Sequence, residues 1–349
     1  MTSISGLKEL ARGIVLAQGN TFVKELLRSN HVKIGASKTA FLSNLNTAID
    51  DGILTEDIFN KWLNEVEGWG QQHAYIYRIS NAETGKQFWK DRKLVQAKTS
   101  IAGFGDKWDV SPSSAFPDRR ELTGVYYDDV SFRLVWYEGN SSLVRDKTKD
   151  KPDERIGTDI YDFHAYRHRA KRIVTRFDWP VGSNYAAILL QTPWNKKEHD
   201  DIRSDVLAVV NKFIEADNIE LLKMSDAIMG LDQESVNNTE AGAGFTSEST
   251  RLESGGAFVG FGTKTTSGYA NTSAVREVRN AVQISKFNGE TATFSVRDNP
   301  RFNISRNELI HIDLRSVSSD CSWVKIRHMC TRKDVWNILN RIAEIADNV

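Results

Sequence analysis

The sequence contains little cysteine and no long apolar run. Cys321 and Cys330 are its two cysteines, and one disulfide between them is an alternative to two reduced core thiols. Reduced thiols are favoured because no basic-then-apolar export leader begins the chain. No apolar run reaches the ~18–20 residues that span a bilayer. We therefore expect a cytoplasmic protein with no membrane partner. Association with the nucleoid is an alternative, and a nuclear location is expected if the source is eukaryotic.

The sequence also lacks a net charge, because 46 Lys and Arg balance 46 Asp and Glu. Any attraction to nucleic acid must then come from local patches of positive charge. The net charge itself neither supports nor opposes nucleic-acid binding. The 349 residues exceed the usual single domain of ~100–200 residues, so two or three domains are expected. With 40% apolar residues, nine Trp and sixteen Phe, the chain is predicted to be globular.

No motif identifies a reaction. A Gly-x-Ser-x-Gly elbow is missing, and the cysteines lack the surroundings of a thiol protease nucleophile. Residues 256–265 contain the ingredients of a phosphate-binding loop, but Thr263 separates Gly262 from Lys264 and no strand–loop–helix context follows. The glycine spacing of a dinucleotide fold is missing too. A twisted hairpin explains this segment better.

Metal chemistry is equally poorly supported. His164 and His168 lie four residues apart, as helical ligands would, but no Glu follows the first and no third ligand has a suitable spacing. A restriction-type nuclease needs Asp on one strand and Glu-x-Lys on the next. The nearest match is Asp313 followed by 323–325, where Trp replaces the Glu and cannot bind a metal. We predict no metal, no cofactor and no catalytic residue.

The organisation of the chain changes near residue 72. Apolar residues at helical spacing predict an all-helical domain over 1–71. Beyond it, β-branched and aromatic runs bounded by turn residues predict strands mixed with helices. The predicted segments are an α+β domain with a long basic β-ribbon (72–230), a Gly/Ser/Thr-rich loop or hairpin (231–272), and C-terminal strands with a closing helix that complete the body (273–349). The fold class is α+β, with an all-helical N-terminal domain and a largely antiparallel, β-rich body.

Residues 20–55 contain two short helices joined by an extended segment. Leu26 and Leu27 close the first helix, Val32 and Ile34 alternate across the linker, and a following serine can cap the second helix. The apolar face of that second helix is predicted to comprise Phe41, Leu42, Leu45 and Ile49. This pattern is typical of a small nucleic-acid-binding module.

The segment resembles the helix–extended–helix family that includes SAP domains. The family's apolar and lysine positions are matched by Val32, Lys38, Phe41, Leu42 and Leu45. The sequence departs from the family at His31, which replaces the first Gly, at Gly35, where the second Gly comes one position early, and at Asn44, which replaces an Arg.

Such domains commonly bind duplex DNA through the start of the second helix and nearby cations. The resemblance places these contacts on Lys33, Ser37 and Lys38. A helix N-terminus presents backbone N–H groups and a partial positive charge to a phosphate, which is the physical basis of the expectation. The alternative is a helical bundle of death-domain or pyrin-like kind that is used for protein contacts.

Residues 163–172, continued by Arg176, form the densest cationic cluster. Side chains alternate along a strand. One face would therefore carry Arg167, Arg169 and Lys171, and the other His164, His168, Arg172 and Arg176. Nearby stacking surfaces are predicted on Tyr161, Tyr166, Phe177 and Trp179.

Charges on both faces suit a protruding or groove-lining strand pair that neutralises phosphates and stacks on bases. The alternative is a solvated ribbon that pairs with nearby acidic residues, because charge runs are usually solvated faces. The predicted nucleic-acid-binding residues of this cluster are His164, Arg167, Arg169, Lys171, Arg172 and Arg176.

Together these patterns predict a non-catalytic nucleic-acid-binding protein, with duplex DNA as the expected ligand. It would act with protein partners as a subunit of a larger assembly, such as a DNA-processing or antiviral defence complex. The alternative is a protein-interaction adaptor or scaffold subunit without nucleic-acid contact. A nuclease with an unrecognised site is the third alternative.

Overall fold

A computed structural model describes most of the chain. The described residues are 4–17, 20–66, 69, 71–80, 88–110, 117–128, 130–191, 197–237, 244–252, 258–262, 274, 277–278, 281, 287–296, 302–303, 310–318, 321–328 and 330–348. The fold is α+β, with helices and a largely antiparallel sheet, as the sequence predicts.

The described helices are α1 (Ile4–Ala17), α2 (Asn20–Ser29), α3 (Lys38–Asp50), α4 (Glu56–Val66), α5 (Arg92–Ile101), α6 (Lys197–Val210), α7 (Met224–Asn237) and α8 (Arg332–Asp347). The described strands are β1 (Gln72–Ile79), β2 (Glu121–Tyr127), β3 (Ser131–Arg145), β4 (Lys151–Ile156), β5 (Asp159–Phe163), β6 (Tyr166–Pro180), β7 (Tyr185–Gln191), β8 (Ile219–Leu221), β9 (Gly244–Leu252), β10 (Phe258–Gly262), β11 (Phe287–Val296), β12 (Ile310–Ser318) and β13 (Cys321–Ile326).

The chain divides into two compact units. The first contains residues 1–62, 112–123 and 136–174, and the second contains 63–111, 124–135 and 175–349. The first unit therefore groups the N-terminal helices with the outer parts of β3 and β6 and with the β4–β5 hairpin.

The second unit is organised around one large sheet. Its strand order is β10-β9-β11-β12-β13-β1-β7-β6-β3-β2, and β8 pairs with the end of β1. Strand β1 lies between two antiparallel neighbours, with Ala74 opposite Leu189 of β7 and Val324 of β13. The turn between β6 and β7 follows Pro180, and residues 175–178 of β6 pair antiparallel with residues 187–190 of β7.

Helices α7 and α8 supply the main core of this unit. Alternate side chains of β1, β7, β11, β12 and β13 point to the same core, because successive residues of a strand face opposite sides. Its largest buried members are Trp69, Phe294, Phe302, Trp336, Leu339 and Ile342. Cys330 is a buried free thiol in this core, as the reduced-thiol alternative predicts.

Four aromatic side chains form a further cluster in the same unit. The Trp89 ring centroid lies 4.9 Å from that of Phe132 and 5.0 Å from that of Trp179. The Phe213 centroid lies 5.0 Å from that of Phe132. The burial of Trp179 here corrects the prediction that this ring and Phe177 offer stacking surfaces to a ligand, since both are inaccessible.

The first unit contains a small helical core. Phe41, Leu45 and Ile49 of α3 are buried with Val23 and Leu26 of α2. Three of the four residues predicted for the apolar face of this helix are therefore packed, and the fourth, Leu42, is half-buried. In α1, Leu7, Ala11 and Val15 are also buried, at the spacing of one helix face.

Candidate nucleic-acid interface

The start of α3 is built by a serine cap. Ser37 has extended backbone angles, and its hydroxyl oxygen accepts a hydrogen bond from the Ala40 N–H at 3.2 Å. Such a cap satisfies one of the amide groups that the first turn of a helix leaves without an intrahelical partner. The predicted cap is therefore present, and it defines the direction in which the N-terminus of α3 points.

The extended segment before α3 is held by the three residues at which the sequence departs from the SAP pattern. His31 has φ 56°, a left-handed conformation that glycine adopts more easily. A Cβ on Gly35 would lie 2.4 Å from the Cβ of Ala40, so only glycine lets the segment pass so close to α3. The Asn44 side-chain amide donates to the Lys33 carbonyl at 2.7 Å. Asn44 thus has a positioning role here.

The predicted cations lie on either side of this cap. Lys33 is exposed in the segment before the helix, and Lys38 is half-buried at its first residue. Ser37 between them is exposed. A helix N-terminus attracts an anion such as a phosphate, and positive charges close to it add to that attraction.

A two-stranded ribbon, β4–β5, is the second exposed feature of the first unit. Ile156 pairs with Asp159 across a two-residue loop, and Gly157 takes φ 66° in that loop, as a short hairpin turn requires. All residues from 151 to 164 are exposed. Both faces of the ribbon are therefore open in the described part of the chain.

Acidic side chains organise the base of the ribbon. The Asp146 carboxylate accepts hydrogen bonds from the backbone and hydroxyl of Thr148. The Asp150 carboxylate accepts from the Ala165 N–H at 2.9 Å and from Arg145 at 2.9 Å. The Ala165 hydrogen bond, with help from Arg145, lowers the pKa of Asp150 below its ordinary value. These two carboxylates are thus occupied by local contacts.

His164, one of the predicted phosphate-binding residues, lies at this base. It is exposed, and its Nδ1 lies 2.8 Å from Nη2 of Arg145. The exposed side chains of His164 and Arg145 therefore lie side by side at the base of the ribbon.

Strand β6 divides the other predicted cations into two groups. The side chains of Arg167, Arg169 and Lys171, like that of His168, lie outside the described part of the structure, although their backbone belongs to β6. The remaining two are Arg172 and Arg176, which are 5% and 4% exposed.

The two buried arginines contact aromatic rings. The Arg172 guanidinium lies 4.2 Å from the Tyr137 ring centroid in the first unit. The Arg176 guanidinium lies 5.0 Å from the Trp69 centroid in the second. Cations stacked on aromatic faces are stabilised by the ring quadrupole. Because neither group is presented to solvent, the prediction that they contact phosphate is corrected, and both have packing roles.

The nuclease-like residues do not form a metal site. Asp313 lies directly opposite Lys325 in the β12–β13 register. Its carboxylate accepts hydrogen bonds from Arg327 at 2.6 and 2.9 Å and from the Thr293 hydroxyl at 3.0 Å. Among the described residues, no group of three or more His, Cys, Asp or Glu side chains is placed to hold a metal ion.

A buried histidine pair in the second unit was missed by sequence reasoning. The His73 and His199 ring centroids lie 4.6 Å apart, and the Tyr75 hydroxyl lies 3.2 Å from Nδ1 of His199. Burial, with the nearby His199 and Lys325, lowers the pKa of His73 to about 3. Burial likewise lowers the pKa of His199. The alternation of β1 places His73 away from the main core, but no pattern in the sequence links it to α6.

A comparison with protein-family models and with curated proteins found no match to this sequence. Within the described residues, no helix is long and apolar enough to span a membrane.

Proposed function

We propose that this protein binds nucleic acid without catalysing a reaction, and that duplex DNA contacts the start of α3. The observation that carries the proposal is an exposed Lys33 in the segment that leads to the serine-capped N-terminus of that helix, with Lys38 at the helix's first residue. Phosphate contacts of this kind position a protein on a duplex and do not read its sequence. The assigned residues are Lys33, Ser37 and Lys38.

Residues 1–71 are proposed to form an all-helical, SAP-like module. Support comes from the order α2, extended segment, α3, and from the backbone at His31, where the family has glycine and this chain has φ 56°. The protein is proposed to work in the cytoplasm, in an assembly with protein partners such as a DNA-processing or antiviral defence complex.

The proposal is tested by reversing charge at the assigned lysines in the full chain. The Lys33→Glu, Lys38→Glu double variant should bind a fluorescein-labelled duplex about tenfold more weakly at low salt, since each change adds repulsion of the phosphates. The slope of log K against log salt should also become shallower. The measurement is fluorescence anisotropy at several salt concentrations.

A matched control distinguishes a local contact of Lys33 and Lys38 with DNA from a general effect of net charge on affinity. The Lys61→Glu, Lys93→Glu variant makes the same change in net charge at two exposed lysines on α4 and α5. Its affinity should stay near that of the wild type. Equal weakening in both variants would indicate non-specific attraction, and unchanged affinity in the first variant would refute the assignment.

The cations of β6 give a second, independent test of nucleic-acid binding. Replacing Arg167, Arg169 and Lys171 together by Glu should weaken binding by more than about tenfold, because three positive charges become negative. Circular dichroism checks that the variant folds. A folded triple variant with unchanged affinity would remove these residues from the proposed interface.

An adaptor role without nucleic-acid contact is the second candidate. It is favoured by apolar side chains that the helical region leaves exposed, among them Ile34 and Ile53. Isolated exposed apolar residues are common, so this support is weaker than the lysine pair at α3. Salt distinguishes the two candidates, because docking through apolar surface is far less sensitive to ionic strength.

A further inference from the structure

We infer that one face of the large sheet in the second unit binds an unpaired nucleic-acid strand. Its contact residues are Arg315 on β12 with Trp323 and Lys325 on β13, and we call their side of the sheet the β12–β13 face. The inference rests on the proposed nucleic-acid binding and deepens it, because it assigns a second form of ligand to the second unit. Two half-buried cations without a carboxylate partner, next to a half-buried tryptophan ring, support it.

The β12–β13 face is the side of the sheet that points away from the main core. Leu314 of β12 and Val324 of β13 belong to that core. Since successive side chains of a strand alternate, Arg315, Trp323 and Lys325 point to the opposite side, where all three are half-buried. Arg315 lies directly opposite Trp323 in the register, and Lys325 is two residues further along β13. Neighbouring strands are about 4.8 Å apart and alternate residues about 6.6 Å, so one short polymer segment can contact all three.

The Arg315 guanidinium has no carboxylate next to it. Its cross-strand neighbours are Thr291 of β11 and Trp323 of β13, and neither carries a charge. The Nε atom of Arg315 is inaccessible to solvent and has no hydrogen-bond partner among the described residues. A charged group that has lost part of its hydration is stabilised when its remaining N–H groups bind an anion.

Lys325 lacks a partner for a different reason. It lies directly opposite Asp313, but Arg327 donates hydrogen bonds to both oxygens of that carboxylate, at 2.6 and 2.9 Å. A guanidinium fork matches a carboxylate better than an ammonium group does. On its other side Lys325 lies opposite His73. Burial of His73, with the nearby His199 and Lys325, lowers the pKa of this histidine to about 3, so it adds no negative or positive charge near neutral pH. No carboxylate in the described part of the chain forms an ion pair with Lys325.

The described charges on this side of the sheet leave an excess of positive charge. Asp313 is balanced by Arg327, and Asp200 of the neighbouring helix α6 is paired within its own helix, at 3.5 Å. Arg315 and Lys325 remain. Two neighbouring cations that the described carboxylates do not neutralise favour a ligand with more than one negative charge, such as the backbone of a nucleic acid.

The tryptophan favours an unpaired strand over other polyanions. The ring centroids of Trp323 and His73 lie 4.8 Å apart, with 79° between the ring planes. Such an edge-to-face contact engages at most one face of the indole and orients the ring. An aromatic ring beside cations is the combination on which an unpaired base stacks while its phosphates pair with the charges. In a duplex the bases are stacked on one another, so the ring cannot reach a base face.

The test uses the full chain and two fluorescein-labelled probes, a dT12 single strand and a duplex of mixed sequence, with anisotropy measured at several salt concentrations. The Arg315→Gln, Lys325→Gln variant should bind dT12 at least about tenfold more weakly at low salt. The slope of log K against log salt should become shallower by about 1.4, because each phosphate contact on a single strand contributes about 0.7. Affinity for the duplex should stay within about twofold of wild type, since the duplex is assigned to the start of α3.

Two further variants separate the local charges from net charge and from stacking. The Lys93→Gln, Lys223→Gln variant is the matched control, because it removes two charges at exposed lysines on α5 and just before α7. Its dT12 affinity should stay near that of the wild type, and weakening equal to that of the first variant would overturn the inference. Trp323→Leu should weaken dT12 binding about fivefold or more without changing the salt slope, because a stacking contact and no charge is lost.

A crosslinking measurement keeps the inference testable if the variants misfold. A dT12 strand containing 5-iodouracil, irradiated with the wild-type chain, should crosslink at Trp323, and mass spectrometry identifies the site. Crosslinks confined to residues outside β12 and β13 would overturn the inference. So would an unchanged dT12 affinity in a folded Arg315→Gln, Lys325→Gln variant.

The outcomes separate this inference from the proposed function. Duplex binding that depends on Lys33 and Lys38, with no dT12 binding, would refute the role of the β12–β13 face and leave the proposed function intact. Binding of dT12 that depends on Arg315 and Lys325, with no duplex binding, would support the inference and refute the duplex role of α3. If neither probe binds, both proposals fail. Displacement of dT12 by poly-L-glutamate at the same charge concentration would overturn the inference in favour of an acidic protein segment as the ligand.

Discussion

The ribbon β4–β5 and the central strand β1 carry the same kinds of side chain in opposite settings. The ribbon has Tyr161 and His164 in solvent, whereas β1 buries Tyr77 and His73. The β1 strand is paired on both sides within the large sheet and covered by helices. The ribbon has one pairing and no covering layer among the described residues.

This difference shows that residue type alone does not assign a role to a tyrosine, histidine or arginine. In the covered sheet, a polar side chain must be neutral or paired, because burial of a charge is costly. His73 meets this demand through its lowered pKa, and Asp178 meets it through ion pairing. At the ribbon, Tyr161 and His164 are exposed instead.

Removal of a buried charge should have the largest effect. Asp178 is fully buried and accepts hydrogen bonds from Arg332 at 3.0 and 3.1 Å and from the Trp336 indole at 2.9 Å. Asp178→Asn should destabilise the protein by about 3–5 kcal/mol, because it leaves the guanidinium without its counterion. Urea unfolding measures the loss. The ribbon control Asp159→Asn should stay within about 0.5 kcal/mol of wild type.

Two phenylalanines provide the sharpest form of the comparison. Phe41 is fully buried in the helical core, and Phe163 is exposed on the ribbon. Phe41→Ala should cost about 3–5 kcal/mol through lost burial and the cavity left behind. Phe163→Ala should change stability by less than about 0.5 kcal/mol. Similar losses for both variants, measured by chemical denaturation, would mean that the ribbon is a structural element.

Acid should destabilise the second unit through its histidine pair. The pKa of His73 is about 3 in the folded chain and 6.5 ordinarily, so the unfolded chain binds the extra proton first as pH falls. Neutral His73 contributes fully to the free energy of unfolding above pH 6.5. This contribution is lost progressively between pH 6.5 and pH 3, by up to about 1.4 kcal/mol per pH unit.

His73→Phe should flatten this part of the stability profile. The groups that face His73 are His199 on α6 and Trp323 and Lys325 on β13. His199 in turn lies near Tyr75, Asp200 and Lys325. A variant at the exposed His164 is the control and should retain the wild-type slope. If His73→Phe leaves the slope between pH 4 and 6.5 unchanged, the pair does not govern acid sensitivity.

The smallest effects are expected at two glycines with left-handed backbone. Gly52 follows α3 with φ 70°, and the N–H groups of Gly52 and Ile53 donate to the carbonyls of Ile49 and Ala48, which ends the helix. A Cβ would meet nothing within 4 Å at Gly52 or at Gly157 of the ribbon. Gly52→Ala should therefore cost only about 1 kcal/mol of global stability.

The same substitution at Gly157 should act locally. The backbone strain caused by the new Cβ would destabilise the ribbon, which contributes little to the free energy of global unfolding. Gly157→Ala should therefore speed amide hydrogen exchange in β4 and β5 without shifting the denaturation midpoint. A global loss equal to that of Gly52→Ala would show that the ribbon unfolds together with the rest of the protein.

The pattern of apolar residues predicted elements that are buried on one face or on both. The spacing of Phe41, Leu45 and Ile49 gave α3, and the apolar run before Gln191 gave β7, because burial imposes a period of 3.6 on a helix and favours continuous apolar residues in a strand covered on both faces. Helix α5 was missed. Only two of its residues, Val95 and Thr99, are buried. Two buried positions are too few to produce a clear helical period of apolar residues in the sequence.

The candidate interface was predictable only in part. The Ser37 cap and the exposed Lys33 follow from local sequence, and the structure agrees with both. The burial of Arg172 and Arg176 was not predictable, because their aromatic partners Tyr137 and Trp69 are distant in sequence. A cluster of charged residues predicts solvent exposure when only the sequence is known. The tertiary structure can bury such a residue against an aromatic ring, as it does here.

The sequence by itself determined some local features of this protein, among them the Ser37 cap of α3, most of the apolar face of that helix and the balance of charge. These depend on interactions between residues a few positions apart. Only the tertiary structure decided which polar and aromatic side chains are inside. That outcome depends on which strands acquire covering layers, as β1 does and the ribbon does not, and burial then decides between packing and binding.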